Sequence, residues 1–264
     1  MSLADHLREL RSRVVKAALA IVAGAVAGWY LFSPVYHLLT APIDAYKAAN
    51  PARADDVKLV YSGITTAFSL HLSVAVFIGF IVSSPVWLYQ AWAFIVPGLT
   101  RKEKRLSLAF IFSAVPLFVL GLWLAHFSLP IVMSVLLGFA ETGTANFQQL
   151  ADYFSFVMRF MLGFGFAFLL PVFLVGLNMV GILPARRLIR SWRISVFLIF
   201  VFSAMMMPTP DPYSMFLLAG PLVVLFFAAV GVAALLDQRK AVTRPQWLDI
   251  DDTQASVIDP PSGP

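Results

Sequence analysis

The sequence predicts an all-α integral membrane protein. Six transmembrane helices would form a kinked, concave bundle with N and C termini cytoplasmic. Three observations predict this. First, 60% of the 264 residues are hydrophobic, only 12% are charged, and mean hydropathy is +0.84. A soluble domain carries about 25% charged residues. The composition therefore excludes a water-soluble enzyme, and a nucleic-acid-binding domain despite a pI near 9.6. Second, the apolar residues fall in unbroken blocks near the ~20 residues that cross ~30 Å of hydrocarbon. A closed barrel would instead alternate apolar and polar positions. Third, the basic residues cluster in alternate connections between those blocks.

The elements follow in order. Leu3, Leu7, Leu10 and Val14 recur at helical spacing, so the N-terminal stretch reads as an amphipathic helix at the inner interface. Ser2 and Asp5 form an S-x-x-D helix start, and the acids Asp5 and Glu9 argue against a cleavable signal. This helix runs into span one, residues 14–32. Residues 33–66, with Pro34, Pro42 and Pro51, form a long outer connection. Span two covers 67–92 and span three 106–127. Residues 127–152 form a second outer connection; each of the two is long enough to fold as a small cap. Span four covers 153–181. Span five, 192–207, is short, with an apolar run from Ile194 to Met207 of about 21 Å as helix. Either Trp192 and Arg193 are drawn into the membrane, or the tip of the hairpin formed by spans five and six stays below the outer surface and thins the bilayer. The tip is Pro208-Thr209-Pro210-Asp211-Pro212, and span six covers 213–236. Residues 1–236 form one domain, and 237–264 read as an acidic, disordered cytoplasmic tail. Pro85, Pro116, Pro171 and Pro221 lie inside spans and predict kinks.

Orientation follows from charge. Fifteen of the nineteen basic residues lie before span one, between spans two and three, between spans four and five, and after span six, counting Lys16 and Arg193 at the junctions with spans one and five. The outer connections hold Lys47, Arg53 and Lys58, and Arg159 lies within span four. The positive-inside rule then puts both termini in the cytoplasm.

Little in the chain carries covalent chemistry. Cysteine is absent, which removes disulfides and thiolate ligands. His6, His37, His71 and His126 show no ligand spacing, so no metal or other cofactor is expected. No His-Glu-x-x-His or Gly-x-Ser-x-Gly motif supports an intramembrane enzyme. The few polar groups in the spans and the lack of an internal repeat weigh against a transporter or channel.

The inner-face acids stand out against this background. Before Asp237 they are Asp5, Glu9 and Glu103 only. Two accounts are open. Each acid balances nearby bases, Glu9 with Arg13 at i, i+4, in pairs contributing about 0.2–0.5 kcal/mol. Alternatively, Glu9 and Glu103 form a carboxylate pair awaiting guanidinium groups, where a charge-assisted bond contributes about 1.5–3 kcal/mol. Arg159 either snorkels to the outer headgroups or contacts another helix. Asp211 is an N-cap for span six, a polar partner contact, or both. Asn178 reads as an interhelical hydrogen bonder. His71 and His126 lack a carboxylate in the same span, which argues against proton relays.

Three stretches also carry a family resemblance. They are His6-Leu7-Arg8-Glu9-Leu10-Arg11-Ser12-Arg13, the Phe94 to Glu103 run containing Pro97 and Leu99, and Thr209-Pro210-Asp211-Pro212 with Ser214. In this order the chain resembles the TatC family, the polytopic core of the twin-arginine protein translocase. The resemblance covers about residues 3–236. It implies a receptor for twin-arginine signal peptides in the cytoplasmic membrane, moving folded cargo with single-span TatA- and TatB-like partners as a hetero-oligomer. The proton-motive force would drive the movement. It implies a signal-peptide site of Glu9, Glu103, Arg11, Gln90, Phe94, Pro97 and Leu99. It further implies partner or translocation roles for Asp211, Ser214 and Pro42. Fixed carboxylates suit planar guanidinium groups better than lysines, and the surrounding bases attract the cytosolic leaflet lipids. One departure stands: Leu169, two residues before Pro171, occupies a place where relatives carry Glu or Gln.

Overall fold

In the computed structural model the described residues are 3–51, 54, 57–61, 63–95, 101–138, 146–206 and 212–242. They form α1 (Leu3–Tyr30), α2 (Phe32–Ala49), β1 (Val57–Val60), α3 (Thr66–Val82), α4 (Ser84–Ile95) and α5 (Arg101–Gly138). β2 (Asn146–Gln149), α6 (Leu150–Met179), α7 (Ala185–Arg190), α8 (Trp192–Met206) and α9 (Pro212–Val242) follow. The molecule is nearly all helix, as predicted.

Three helices are long and apolar enough to cross a membrane, over Leu108–Leu137, Leu150–Met179 and Met215–Gln238. Two bent pairs bring the number to five if each is one span: α1 with α2, bent by 81°, and α3 with α4, bent by 59°. The six apolar blocks fall on these three helices, the two bent pairs and the shorter α8.

The bends have local causes. Between α3 and α4, Pro85 offers no N–H, and the amides of Val86 and Trp87 both donate to the Ser83 carbonyl, at 2.9 and 3.1 Å. Pro116, Pro171 and Pro221 instead lie inside continuous helices. At the elbow between α1 and α2, the His71 ring stacks on Phe32 at 3.8 Å and tilts against Trp29 at 4.1 Å. Its Nε2 donates to the Trp29 carbonyl at 3.2 Å. His71 thus fills an elbow, a structural role.

Helix α1 lies close against α3. A Cβ on Gly24 would sit 2.7 Å from the Gly79 carbonyl oxygen, so the two backbones meet where neither has a side chain. Such small-residue contacts are how apolar helices associate in lipid, where burial gives no driving force. The main core lies among α2 to α6, with Trp92, Phe118, Phe154 and Phe164 fully buried.

The outer connections depart from prediction. Residues 32–49 are helix rather than loop, and α5 continues past residue 127 to Gly138. The amphipathic pattern of α2 explains the first difference: Leu39, Ile43 and Tyr46 share one buried face. The two connections also join each other, because β1 pairs in parallel with β2 from Val57↔Asn146 to Val60↔Gln149. Tyr153 strengthens the join, donating its hydroxyl to the Leu39 carbonyl at 2.6 Å.

At the other end of the bundle, Asp237 knots three helices. Its Oδ2 accepts the Ala185 amide at 2.7 Å, which caps α7. Its Oδ1 accepts from Asn178 Nδ2 at 3.0 Å, and that group also donates to the Leu183 carbonyl at 3.0 Å. Asn178 is therefore the expected interhelical bonder. The knot also accounts for a correction: α9 runs to Val242, through residues assigned to the tail from 237 onward. Residues 243–264 lie outside the described residues.

Candidate functional site

Helix α1 turns two different faces outward and inward at its N-terminal end. The apolar positions Leu7, Leu10 and Val14 are exposed, at 57%, 37% and 56%. The half-buried stripe runs instead through Glu9, Arg13, Ala17, Ile21 and Gly24. The close Gly24–Gly79 contact fixes which face of α1 looks inward, and Glu9 lies on that face, about four turns away.

Glu9 is held by its own helix. Arg13 donates from Nε at 3.0 Å and also from Nη2, and both bonds reach the same carboxylate oxygen, Oε1. The two side chains keep 24% and 21% of their surface exposed, Glu9 and Arg13 respectively. A carboxylate accepts at both oxygens, and among the described residues both Arg13 bonds fall on Oε1. Arg11 is exposed away from this stripe.

A second contact joins α1 to α4. The His6 ring stacks on Phe94 with centroids 4.6 Å apart and planes 28° apart. Gln90 lies one turn before Phe94 on the same face of α4, and both are half-buried. That end of α4 is anchored because Trp92 is fully buried, stacked on Phe110 at 4.1 Å and set against Gly176 of α6. Glu103 falls in the first turn of α5, three residues beyond the gap after α4.

Among the expected site residues, the structure brings Glu9, Gln90 and Phe94 to the packed pair α1 and α4. Pro97, Leu99 and Asp211 lie outside the described residues, and Ser214 is placed only as part of the first turn of α9. Pro42 is buried in α2, beyond the far end of α1 from Glu9. Leu169 is only 2% exposed, so that position faces the core. His6, not among the expected site residues, is brought against Phe94, which is one of them. Its i, i+3 spacing from Glu9 puts the two near one another on α1. No group of three or more His, Asp or Glu side chains suited to a metal occurs among the described residues.

Comparison with known proteins gives a consistent picture. The family model for the Sec-independent protein translocase protein (TatC) matches residues 5–221. A Sec-independent protein translocase protein TatC of Xylanimonas cellulosilytica is 42% identical over 239 residues, covering 90% of this chain and 86% of its own. One from Frankia casuarinae is 39% identical, covering 98% of this chain and 73% of its own. The crystal structure of the twin arginine translocase receptor TatC superposes with a TM-score of 0.68 at 31% identity. That match covers 88% of this chain and 99% of the crystallised one. A second, in the detergent DDM, gives a TM-score of 0.70 at 30% identity, over 86% of this chain and 99% of that one.

Proposed function

Because this chain belongs to the TatC family of Sec-independent protein translocase proteins, we propose that it is the receptor for twin-arginine signal peptides. In this reading it is a six-span protein of the cytoplasmic membrane with both termini inside. It forms the core of a hetero-oligomer with TatA- and TatB-like single-span proteins. Folded cargo crosses under the proton-motive force, with no covalent step and no cofactor.

The observation that carries the reading is the state of Glu9. Its carboxylate is half-buried and, among the described residues, is held by Arg13 of its own helix through Oε1. Arg13 already places one guanidinium on this carboxylate at Oε1. An arginine side chain entering beside Phe94 gains at Oε2, where a charge-assisted bond contributes about 1.5–3 kcal/mol. Glu103, in the first turn of the next helix, supplies the second carboxylate for the second arginine. Phe94 and Gln90 supply the adjoining surface of α4, and the family resemblance adds Pro97, Leu99 and Arg11 to the peptide site.

Site-specific cross-linking of a twin-arginine signal peptide to the full protein in membranes tests this. Glu9→Ala and Glu103→Ala each abolish or strongly weaken the cross-link. Unchanged cross-linking in both variants sinks the site assignment.

A further inference from the structure

A second polar site lies at the other end of the bundle, and it exists because α8 is short. Fifteen residues give α8 a length of about 22 Å, against about 45 Å for the thirty residues of α6. The last residue of α8, Met206, rests on Gly163 of α6, where a Cβ would collide with the Met206 Cε. Gly163 is about 20 Å along α6 from Leu150. Beyond that level no described residue of α8 lies beside α6, and a cavity of about 360 Å³ is lined there by residues of both helices.

Its lining divides by character. Asp152, Ser155 and Arg159 recur along one strip of α6, and Phe156, Met205 and Met206 supply apolar walls. Arg159 is exposed although it sits inside the apolar span Leu150–Met179. Asp152 and Arg159 are about 10.5 Å apart along the axis. Among the described residues neither has an ion-pair partner.

The chemistry of this strip selects its ligand. A guanidinium at membrane depth calls for an anion. A simple anion would satisfy Arg159 while adding repulsion at Asp152, nearer the outer end. A ligand with a phosphodiester and a terminal ammonium meets both charges. Its lower part must be apolar, to lie against Phe156 and the two methionines. The volume is within the ~300–1,000 Å³ range of small-ligand sites.

We propose that this cavity binds the headgroup of an outer-leaflet phospholipid of the phosphatidylethanolamine class. The phosphate rests on Arg159, the ammonium reaches Asp152, and the acyl chains run down past the end of α8. This site is separate from the Glu9 region and does not depend on the signal-peptide reading.

The test uses the full protein, delipidated in a neutral maltoside detergent and followed by native mass spectrometry. Dioleoylphosphatidylethanolamine, dioleoylphosphatidylglycerol and soluble glycerophosphoethanolamine are the probes. The expected result is saturable binding of the ethanolamine lipid that Arg159→Gln weakens about tenfold, the loss of a charge-assisted contact. Arg159→Lys keeps most of it, which separates charge from folding. Asp152→Asn removes the preference for the ethanolamine over the glycerol headgroup. Glycerophosphoethanolamine does not compete, because it lacks the chains. Equal binding by Arg159→Gln overturns the proposal, as does full competition by the soluble headgroup. Unchanged lipid binding with loss of a co-purifying single-span partner also overturns it, and would make Arg159 a contact for a protein carboxylate.

Discussion

Glu9 and Arg13 show how one spacing serves two outcomes. The i, i+4 interval predicts the ion pair that forms, and the same interval places Glu9 on the half-buried stripe facing α4. Spacing alone does not rank these, because the pair's strength depends on which oxygen is used and how much water remains. With Oε1 taken and a quarter of the side chain exposed, Arg13 is, in the proposed reading, a competitor of the incoming arginine for Glu9. Removing that competitor should not harm recognition. Arg13→Gln is expected to bind a twin-arginine peptide at least as tightly as the native chain. Peptide titration by microscale thermophoresis on detergent-solubilised protein checks this. A loss as deep as that of Glu9→Ala would mean Arg13 contacts the peptide itself. The stacking of His6 on Phe94 was harder to read, because it joins residues from distant parts of the chain.

At the level of elements, the apolar blocks were legible because lipid enforces helix on any long apolar stretch. What joins the helices was less legible. Gly24 and Gly79 carry no periodicity of their own, yet they let α1 and α3 touch backbone to backbone. Asp237 reads as a helix-closing acid until α7 is seen capped by it. The pairing of β1 with β2 depends on two segments almost ninety residues apart meeting at one edge, which local pattern does not encode. The glycine contact has a direct consequence for the site, because it sets the face that Glu9 presents. Gly79→Leu forces α1 away from α3, and overpacking of this kind costs about 1–3 kcal/mol. Thermal unfolding in detergent should show a lowered midpoint, together with weaker signal-peptide cross-linking at α1. Phe112→Leu, at a position 73% exposed, should change neither. A full midpoint for Gly79→Leu would show that the close approach is not required.

At the scale of the whole molecule, the protein is asymmetric across the membrane. One end carries the bases, the inward acids and the Asp237 knot, and the other carries the strand pair and the truncated α8. The end of α8 lies about 20 Å inside the start of α6. Residues 207–211, with Asp211, lie outside the described residues. The sequence contained the short fifth apolar block, but the level at which Met206 meets α6 depends on Gly163, a residue from a distant part of the chain. The two ends should therefore separate functionally. In the proposed reading, signal-peptide recognition is expected at the α1 and α4 end, and assembly with single-span helices is expected to involve Asp211. Asp211→Asn keeps the size of the side chain and removes its charge. The expected outcome is reduced co-purification of TatA- and TatB-like partners from membranes, with signal-peptide cross-links at α1 retained. Normal co-purification combined with lost cross-links would show that the two ends are not separable and that Asp211 acts on recognition.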